Sequence, residues 1–216
     1  PIEPALPLEG GPFHTSGKPG HMRDALPGVF SDAAPDDWGR RLLERAYGNG
    51  LSEFEYLTLS DDMCRQGALR FLDTDGEIIR GNAADAVPRL VELENITAIA
   101  RAYEQGKEIS AEEMQALAGA GGSGGARPKA NVRDGDALWL AKFTSVHDQR
   151  PIERVEVATL RLARECGIRT PEVRLELADS PFPVALIERF DRRGGARIPY
   201  ISARTALGKT GDGGAG

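Results

Sequence analysis

The sequence has few residues that could build a metal centre or a disulfide framework. Its 216 residues include only 2 cysteines and 3 histidines. Cys64 and Cys166 lie far apart in the chain, and neither has the short spacing to a histidine that is typical of zinc sites. We therefore expect no structural zinc, no other bound metal held by these residues, and no disulfide.

Long apolar runs and an excess of positive charge are also missing. No stretch approaches the roughly 20 apolar residues that a membrane span needs, and the first residues do not resemble a signal peptide. The formal net charge of −6 argues against broad nucleic-acid binding by this chain itself. These absences predict a soluble, cytoplasmic protein that has no membrane partner.

The first half of the chain is mostly helical in pattern. Four helices are predicted, which begin at Asp36, Ser52, Val87 and Ser110. Ser52 and Ser110 each stand three residues before a glutamate, which is the spacing of a capping box. Between the second and third helices, residues 67–71 alternate like a strand and end at a turn over residues 73–76.

The most informative stretch is the glycine-rich segment 119–132. Five of its first seven residues are glycine, so its backbone can approach a ligand closely with N–H groups exposed. Residues 130–132 and 137–143 then predict two strands that are joined by a hairpin turn at 134–136. Lys142 is therefore expected near the end of a buried strand that follows a glycine-rich loop.

A strongly helical stretch follows this lysine and runs from Pro151 to Gly167. Four of its residues form one stripe at helical spacing: Val155, Thr159, Leu162 and Cys166. Glu156 lies on a neighbouring stripe with apolar residues. It is therefore expected to face partly towards the interior.

Two more strands complete the predicted elements. Residues 173–177 alternate, and residues 184–190 form a nearly continuous apolar run before a charged segment. The expected fold class is α+β, with a helix-rich amino-terminal subdomain followed by a kinase-like small lobe built on an antiparallel sheet. We place these two domains at residues 1–110 and 111–216.

The order of these parts is that of a protein-kinase small lobe. Such a lobe has a glycine loop over the phosphates, a strand lysine on the α- and β-phosphates, a helix glutamate and a hinge. Lys142 would supply the cation and Glu156 would hold it. The main chain of residues 188–190 would bond the adenine edge. Phosphoryl transfer depends mainly on positioning and charge stabilisation, which this set could provide.

Each feature also has a simpler explanation. A glycine-rich loop can be a linker, and Lys142 can extend from the strand end into water. Glu156 can form a surface pair with Arg154 or Arg161. Residues 187–191 can be an edge strand with a charged exit. The glycine loop, lysine, glutamate and hinge in this order favour the kinase interpretation.

Several segments carry a more specific combination of residues. They are 124–129 (Gly-Gly-Ala-Arg-Pro-Lys), 140–143 (Leu-Ala-Lys-Phe), 155–163, 167–168 and 187–192 (Ile-Glu-Arg-Phe-Asp-Arg). In these segments the chain resembles the HipA-like serine/threonine-protein kinases, the toxins of bacterial type II toxin–antitoxin modules. The resemblance is firm from 121 to 204 and looser before, where Leu26-Pro27 and residues 67–71 are weaker matches.

The resemblance implies ATP-dependent phosphorylation of a serine in a protein substrate, which in some members of the family is an aminoacyl-tRNA synthetase. It implies ATP and Mg²⁺ as cofactors. A helix-turn-helix antitoxin would be a partner, and DNA would be contacted only indirectly through that antitoxin.

The resemblance also implies individual site residues. Nucleotide contacts fall on Gly124, Gly125, Ala126, Arg127, Pro128, Lys129, Lys142, Glu188, Arg189 and Phe190. Lys142 and Glu156 are the catalytic candidates within this sequence. Ser123 is the candidate for autophosphorylation, although the family's usual serine position is occupied here by Gly122.

One part of the family pattern has no counterpart in the sequence. The catalytic aspartate and the metal-binding aspartate belong to a carboxy-terminal lobe that would follow Gly216. We therefore expect this chain to be the amino-terminal portion of a kinase, cut or processed at both ends and inactive alone. Two alternatives stay open: a non-catalytic module that binds a nucleotide or an antitoxin, and a small-molecule kinase with a similar lobe.

Overall fold

Helices come before the sheet in this chain. The computed structural model describes residues 26–81, 87–121 and 125–208. The helices before the sheet are α1 (Gly28–Ala33), α2 (Asp37–Tyr47), α3 (Glu53–Leu59), α4 (Leu93–Glu104) and α5 (Ala111–Gly119). The expected α+β class, with a helical first part and an antiparallel sheet after it, is confirmed.

Four strands form the main sheet: β1 (Lys129–Asp134), β2 (Ala137–Phe143), β3 (Val173–Glu176) and β4 (Val184–Glu188), with α6 (Ile152–Glu165) between β2 and β3 in the chain. Their order in the sheet is β1-β2-β4-β3, and each neighbouring pair is antiparallel. A short hairpin of β5 (Arg192–Arg193) and β6 (Ala196–Arg197) and the helix α7 (Ala203–Ala206) follow.

The helix boundaries follow the capping signals in the sequence. The Asp36 side chain accepts a hydrogen bond from the Gly39 N–H at the start of α2, and Gly48, with φ of 103°, ends that helix. Both predicted capping boxes are present, at Ser52 before α3 and at Ser110 before α5. These local bonds satisfy backbone donors that a helix start leaves unpaired.

The largest buried cluster joins the helices to one face of the sheet. It contains Trp38 and Leu42 of α2 and Leu117 of α5 together with Val132 and Phe143 of the sheet. Burial of apolar side chains is the main favourable contribution to folding. The boundary between residues 110 and 111 stays a prediction, and this core contains side chains from both sides of it.

The opposite face of the sheet is covered by α6. Lys142 of β2 lies directly opposite Ala185 of β4, so their side chains are on the same face. Ala185 packs with Val157 of α6 and Val173 of β3 in a separate buried cluster. The amino-terminal helices and α6 therefore cover opposite faces, and Lys142 belongs to the α6 face.

The orientation of α6 differs from the stripe that the sequence suggested. Val155 is 52% exposed and Leu162 is 66% exposed, and Cys166 is also exposed. The side chains that face inward are instead Glu153 and Val157. Two stripes of α6 carry apolar residues. The stripe that contains Val157 packs against β3 and β4, and the stripe predicted from the sequence, which contains Val155 and Leu162, faces solvent.

The strand predicted over residues 67–71 is wrong. These residues are irregular, and the nearest β-pairing is a single bridge between Leu72 and Ile78. The Gly67 N–H donates to the Asp191 carboxylate instead of to a neighbouring strand. The turn that follows is confirmed, because the Gly76 N–H donates to the Asp73 carbonyl and the Asp73 N–H to the Glu77 carbonyl.

The third helix begins later than predicted. Val87 and Pro88 precede a 3₁₀ turn at Leu90–Glu92, and α4 starts at Leu93. The Arg133 N–H of β1 donates to the Pro88 carbonyl, so tertiary pairing with the sheet keeps this segment extended. In the parts of the chain that the structure describes, no helix has the length and apolar character needed to cross a membrane.

Candidate functional site

Lys142 and Glu156 form a salt bridge on the α6 face of the sheet. The Lys142 Nζ lies 2.5 Å from the Glu156 Oε1, and each side chain is 30% exposed. Lys142 is near the end of β2, and Glu156 lies in the second turn of α6. The glutamate does not pair with Arg154, whose guanidinium donates to the carbonyls of Ala178 and Ser180.

The Lys142–Glu156 pair is partly exposed to solvent, and this limits its contribution to stability. A partly exposed ion pair contributes little to stability, typically about 0–1 kcal/mol. Its more important effect is geometric, because the carboxylate holds a solvent-accessible ammonium in one place. The contact is the one that the order of motifs predicts, while the nucleotide-binding role of both residues stays a prediction.

Only part of the glycine-rich loop can be described. Ser123 and Gly124, two of the predicted site residues, lie outside the described residues. Gly125 has φ of 122°, a conformation that favours glycine, and a Cβ built on it would meet no atom within 4 Å. Glycine is therefore needed at this position for backbone conformation, and the space beside it is open.

The residues after Gly125 are fixed by contacts on two sides. The Arg41 Nη2 of α2 donates to the Ala126 carbonyl at 2.8 Å. The Phe143 N–H donates to the Pro128 carbonyl at 3.0 Å, which anchors the end of the loop to β2. The described end of the loop is therefore held against both the first half of the chain and the lysine strand.

Arg127 connects the loop to the start of α6. Its guanidinium donates to both oxygens of Asp148, at 2.9 and 2.5 Å, and to Glu153 at 3.2 Å. The hydrogen bond from Arg127 is the main cause that lowers the pKa of Asp148, and the bond to Asp148 raises the pKa of Arg127. Glu153 is buried and also accepts from the Thr144 hydroxyl.

Lys129, another predicted nucleotide contact, is 2% exposed. Its Nζ donates to the Asp36 Oδ2 and to the Gly125 carbonyl, both at 2.8 Å. Lys129 lies directly opposite Lys142 in the β1–β2 pairing. The glycine loop therefore ends beside the predicted catalytic lysine.

The predicted hinge follows β4. Glu188 is the last residue of that strand, and the Arg189 N–H donates to the Leu138 carbonyl at 2.9 Å. Phe190 is 61% exposed, and its ring centroid is 5.4 Å from that of Tyr200. The Phe190 N–H forms no hydrogen bond with the described residues, so it is a donor that a ligand could use.

The Arg189 side chain is used inside the protein. It is buried, and its Nη1 donates to the Cys64 carbonyl and to the Asn131 Oδ1 at 2.8 and 2.7 Å. Its Nε and Nη2 donate to Asp191. A nucleotide contact at Arg189 would therefore have to come from its main chain, as a hinge requires.

A cavity of 410 Å³ lies at the hinge end of the sheet. It is lined by residues 136–138 at the β1–β2 turn and by residues 188–189 and 192–194. Lys142 and the described part of the glycine loop are not among its lining residues. Lys142 lies four positions after Leu138 in β2, which corresponds to a distance of roughly 13 Å along the strand.

The described end of the glycine loop, Lys142 and the hinge thus all adjoin the same sheet. The glycine loop and Lys142 are adjacent, and the hinge is at the other end of the same central strands. Among the residues that the structure describes, no three His, Cys, Asp or Glu side chains are grouped so that they could hold a metal ion.

Sequence reasoning missed two acidic residues that organise the site. Asp36 was recognised only as part of a helix start, and it also pairs with Lys129, 93 positions away. Asp191 belonged to a matching motif, but nothing in the sequence indicated its bond to the Gly67 N–H. In both cases the short-range signal was visible and the distant partner was not.

Comparisons with known proteins bear on the second half of the chain. Residues 121–214 match the family model described as the HipA-like C-terminal domain. The comparison with curated proteins returned no match. The match includes the glycine loop, the sheet, α6 and the hinge, and it begins after α5. Residues 121–214 therefore carry a HipA-like C-terminal domain, which confirms over this range the resemblance expected from the motifs.

Proposed function

We propose that this chain provides the ATP-binding part of a serine/threonine-protein kinase that phosphorylates a protein substrate. The observation that carries the proposal is the Lys142–Glu156 salt bridge beside the end of the glycine loop. A fixed ammonium next to exposed backbone N–H groups is what the phosphates of a nucleotide need. The HipA-like domain over residues 121–214 supports the same class of activity.

The residues present fit an adenine nucleotide. Lys142 would bind the phosphates, because its ammonium is partly exposed and already oriented by Glu156. Gly125 and Ala126 would bring main-chain N–H groups to the same phosphates. The Phe190 N–H, which has no hydrogen-bond partner among the described residues, would donate to the adenine edge. The preceding residue, Arg189, lines the cavity at the hinge. ATP would supply the transferred phosphoryl group, and these residues would bind and orient it.

The described residues do not fit a Mg²⁺ site by themselves, because no three acidic or histidine side chains converge among them. Mg²⁺ requires carboxylate oxygens as well as phosphate oxygens. We propose that the metal ligands and the catalytic aspartate are contributed by the carboxy-terminal lobe that the family resemblance implies. This chain would then bind and orient ATP, and the deprotonation of the acceptor hydroxyl would occur on that lobe.

The proposed partners follow from the family resemblance. They are a protein substrate, which is an aminoacyl-tRNA synthetase in some HipA-like kinases, and a helix-turn-helix antitoxin. DNA would be reached only through the antitoxin, and the setting would be the cytoplasm. Autophosphorylation at Ser123 by the complete kinase, with the carboxy-terminal lobe present, is also part of the proposal.

The direct test is ATP binding by the 216-residue chain with and without Lys142→Ala. A hydrogen bond to a charged group contributes about 1.5–3 kcal/mol. The variant should therefore bind ATP roughly 10- to 100-fold more weakly. Isothermal titration calorimetry in Mg²⁺-containing buffer measures both affinities. Glu156→Gln should cause a smaller loss, because Glu156 orients the lysine without contacting the nucleotide.

Lys107→Ala provides the matched control, since Lys107 is an exposed lysine after α4. This variant should bind ATP as the unmodified chain does. Equal ATP affinities for the unmodified chain and Lys142→Ala would remove Lys142 from the site. An unmodified chain that fails to bind millimolar ATP would contradict the proposal that this chain supplies the ATP site.

A second expectation concerns turnover. We expect the 216-residue chain alone to transfer no phosphoryl group to itself or to added protein, because its described residues contain no group of Mg²⁺ ligands and the catalytic aspartate is expected in the carboxy-terminal lobe. Incubation with radiolabelled ATP and Mg²⁺ measures this directly. A phosphorylation rate that persists in Lys142→Ala would contradict both the expected inactivity and the proposed role of the lysine.

One observation favours the alternative of a non-catalytic module that binds a nucleotide or an antitoxin. The described residues contain a candidate nucleotide site but no grouped metal ligands. If the gene encodes no catalytic aspartate beyond Gly216, ATP binding without transfer would be the whole function of the site. Sequencing the gene past this position distinguishes the two functions.

A further inference from the structure

The start of α2 lies against both ends of the glycine-rich loop. At the first end, a Cβ built on Gly121 would lie 2.9 Å from the Ala118 carbonyl and 3.5 Å from the Gly39 Cα. At the other end, the Arg41 Nη2 donates to the Ala126 carbonyl. A helix from the first half of the chain therefore borders the loop proposed to bind phosphate.

Lys129 makes the most buried of these contacts. Its ammonium joins the Asp36 Oδ2 to the Gly125 carbonyl, with both distances 2.8 Å. The Trp38 Nε1 donates to the Lys129 carbonyl, also at 2.8 Å. Asp36 is itself fixed, because its Oδ1 accepts from the Gly39 N–H and caps α2. The loop carbonyl, the lysine, the acid and the helix start thus form one continuous hydrogen-bonded chain.

The charges explain why this arrangement is stable. Burial lowers the pKa of Lys129 and raises that of Asp36, and each charge counteracts the shift of the other. A buried charge that loses its partner is strongly destabilising. If Lys129 turned towards a nucleotide phosphate, it would leave the Asp36 carboxylate buried without its cation. The lysine is therefore better suited to hold the loop than to bind the ligand.

We propose that Lys129 is a positioning residue: Asp36 holds its ammonium, which fixes the Gly125 carbonyl and with it the path of residues 125–128, the described end of the glycine-rich loop. ATP affinity then depends on an acid at the start of α2, 93 positions before the lysine. This inference rests on the proposed ATP-binding function. The family resemblance implied that Lys129 contacts the nucleotide directly. We infer instead that Lys129 connects the start of α2 to the nucleotide site.

A double-mutant cycle on ATP affinity tests the inference, with Lys129→Met, Asp36→Asn and the double variant. Asparagine still caps a helix, so Asp36→Asn removes the charge and keeps α2 intact. If the pair acts as one unit, both single variants should bind ATP about 3- to 30-fold more weakly. The double variant should then be no weaker than either single variant.

A direct phosphate contact by Lys129 would give a different pattern. Lys129→Met would weaken ATP binding, while Asp36→Asn would leave it unchanged or tighter, because the lysine would be released towards the phosphates. That pattern would overturn the inference. Adenosine is the control ligand, since it lacks phosphates and should bind all four proteins equally. Asp36→Glu, which keeps the charge, should recover most of the ATP affinity.

Hydrogen exchange without nucleotide separates this inference from the proposed function. The amides of residues 125–127 should exchange faster in Asp36→Asn and in Lys129→Met, while the amides of β2 keep their protection. Unchanged exchange at residues 125–127 would overturn the positioning role whether or not ATP binds. If ATP affinity falls in Lys142→Ala but not in Asp36→Asn, only the inference about Lys129 fails.

Discussion

Replacing Asp191 by asparagine should lower the free energy of unfolding by about 3–5 kcal/mol, the cost of removing one partner from a buried ion pair. Asp191 is 1% exposed. Its Oδ2 accepts from Arg189 and Arg192 at 2.6 and 2.8 Å and from the Gly67 N–H at 2.7 Å. An asparagine would leave two largely buried guanidinium groups without their carboxylate.

The same carboxylate connects the hinge to the first half of the chain. Arg192 donates to the carbonyls of Met63, Arg65 and Gly67, and Arg189 donates to that of Cys64. Asp191 holds both guanidinium groups in the orientation that these bonds require. Its loss should therefore loosen residues 63–67 as well as the hinge.

Urea unfolding followed by circular dichroism measures the effect. Asp134→Asn is the matched control, because the Asp134–Arg174 pair has similar geometry at 2.8 Å but both side chains are over 40% exposed. That exposed pair should contribute only about 0–1 kcal/mol. Similar losses in the two variants would contradict a special role for the buried carboxylate.

The Asp191 effect should also depend on pH. Burial alone would raise the pKa of Asp191, but the bonds and charges of Arg189, with the Gly67 N–H and Arg192, outweigh it and lower the pKa. A carboxyl group whose pKa is lower in the folded state stabilises the protein at pH values above its unfolded pKa of about 3.9. This stabilisation is lost as the pH falls from that value through the folded-state pKa. The difference between the unmodified chain and Asp191→Asn should therefore shrink below about pH 4.

Trp38→Ala is expected to be the second large destabilisation, at about 3–5 kcal/mol, the usual range for a buried aromatic side chain. Trp38 is 2% exposed and packs edge-on against Tyr103, with ring centroids 5.4 Å apart. It also donates to the Lys129 carbonyl. The alanine variant would open a cavity between α2 and the sheet and remove one bond to the glycine loop.

One further variant separates the hydrogen bond from the packing, and a second serves as a control. Trp38→Phe keeps most of the apolar volume and removes the hydrogen bond, so it should cost about 1–3 kcal/mol. Phe54→Ala is the control, because Phe54 is 62% exposed and should change stability by no more than about 0.5 kcal/mol. Thermal and urea unfolding measure all three. A Trp38→Ala loss no larger than that of Phe54→Ala would contradict the packing described for α2.

Local signals in the sequence predicted local structure well. The acid at Asp36 and the glycine at Gly48 bounded α2, and the serine–glutamate pairs marked the starts of α3 and α5. The turn at residues 134–136 placed β1 and β2 side by side. These predictions succeeded because capping and tight turns involve residues only a few positions apart.

Patterns that depended on a distant neighbour were less reliable. The alternation of residues 67–71 suggested a strand, but the Gly67 amide is bound by Asp191. Val155 and Leu162 suggested the buried stripe of α6, but they are exposed. A periodic pattern shows that a segment could present an apolar face, and it does not identify the surface that will cover it.

The sequence by itself determined the order of glycine loop, strand lysine, helix glutamate and hinge, and with it the resemblance that the match to a HipA-like C-terminal domain confirms over residues 121–214. Only the tertiary structure decided which lysine is partly exposed and which is buried. Lys142 faces Glu156 at the surface, and Lys129 is enclosed with Asp36. The physical reason is that the environment of a charge depends on the elements packed around it, and those come from distant parts of the chain.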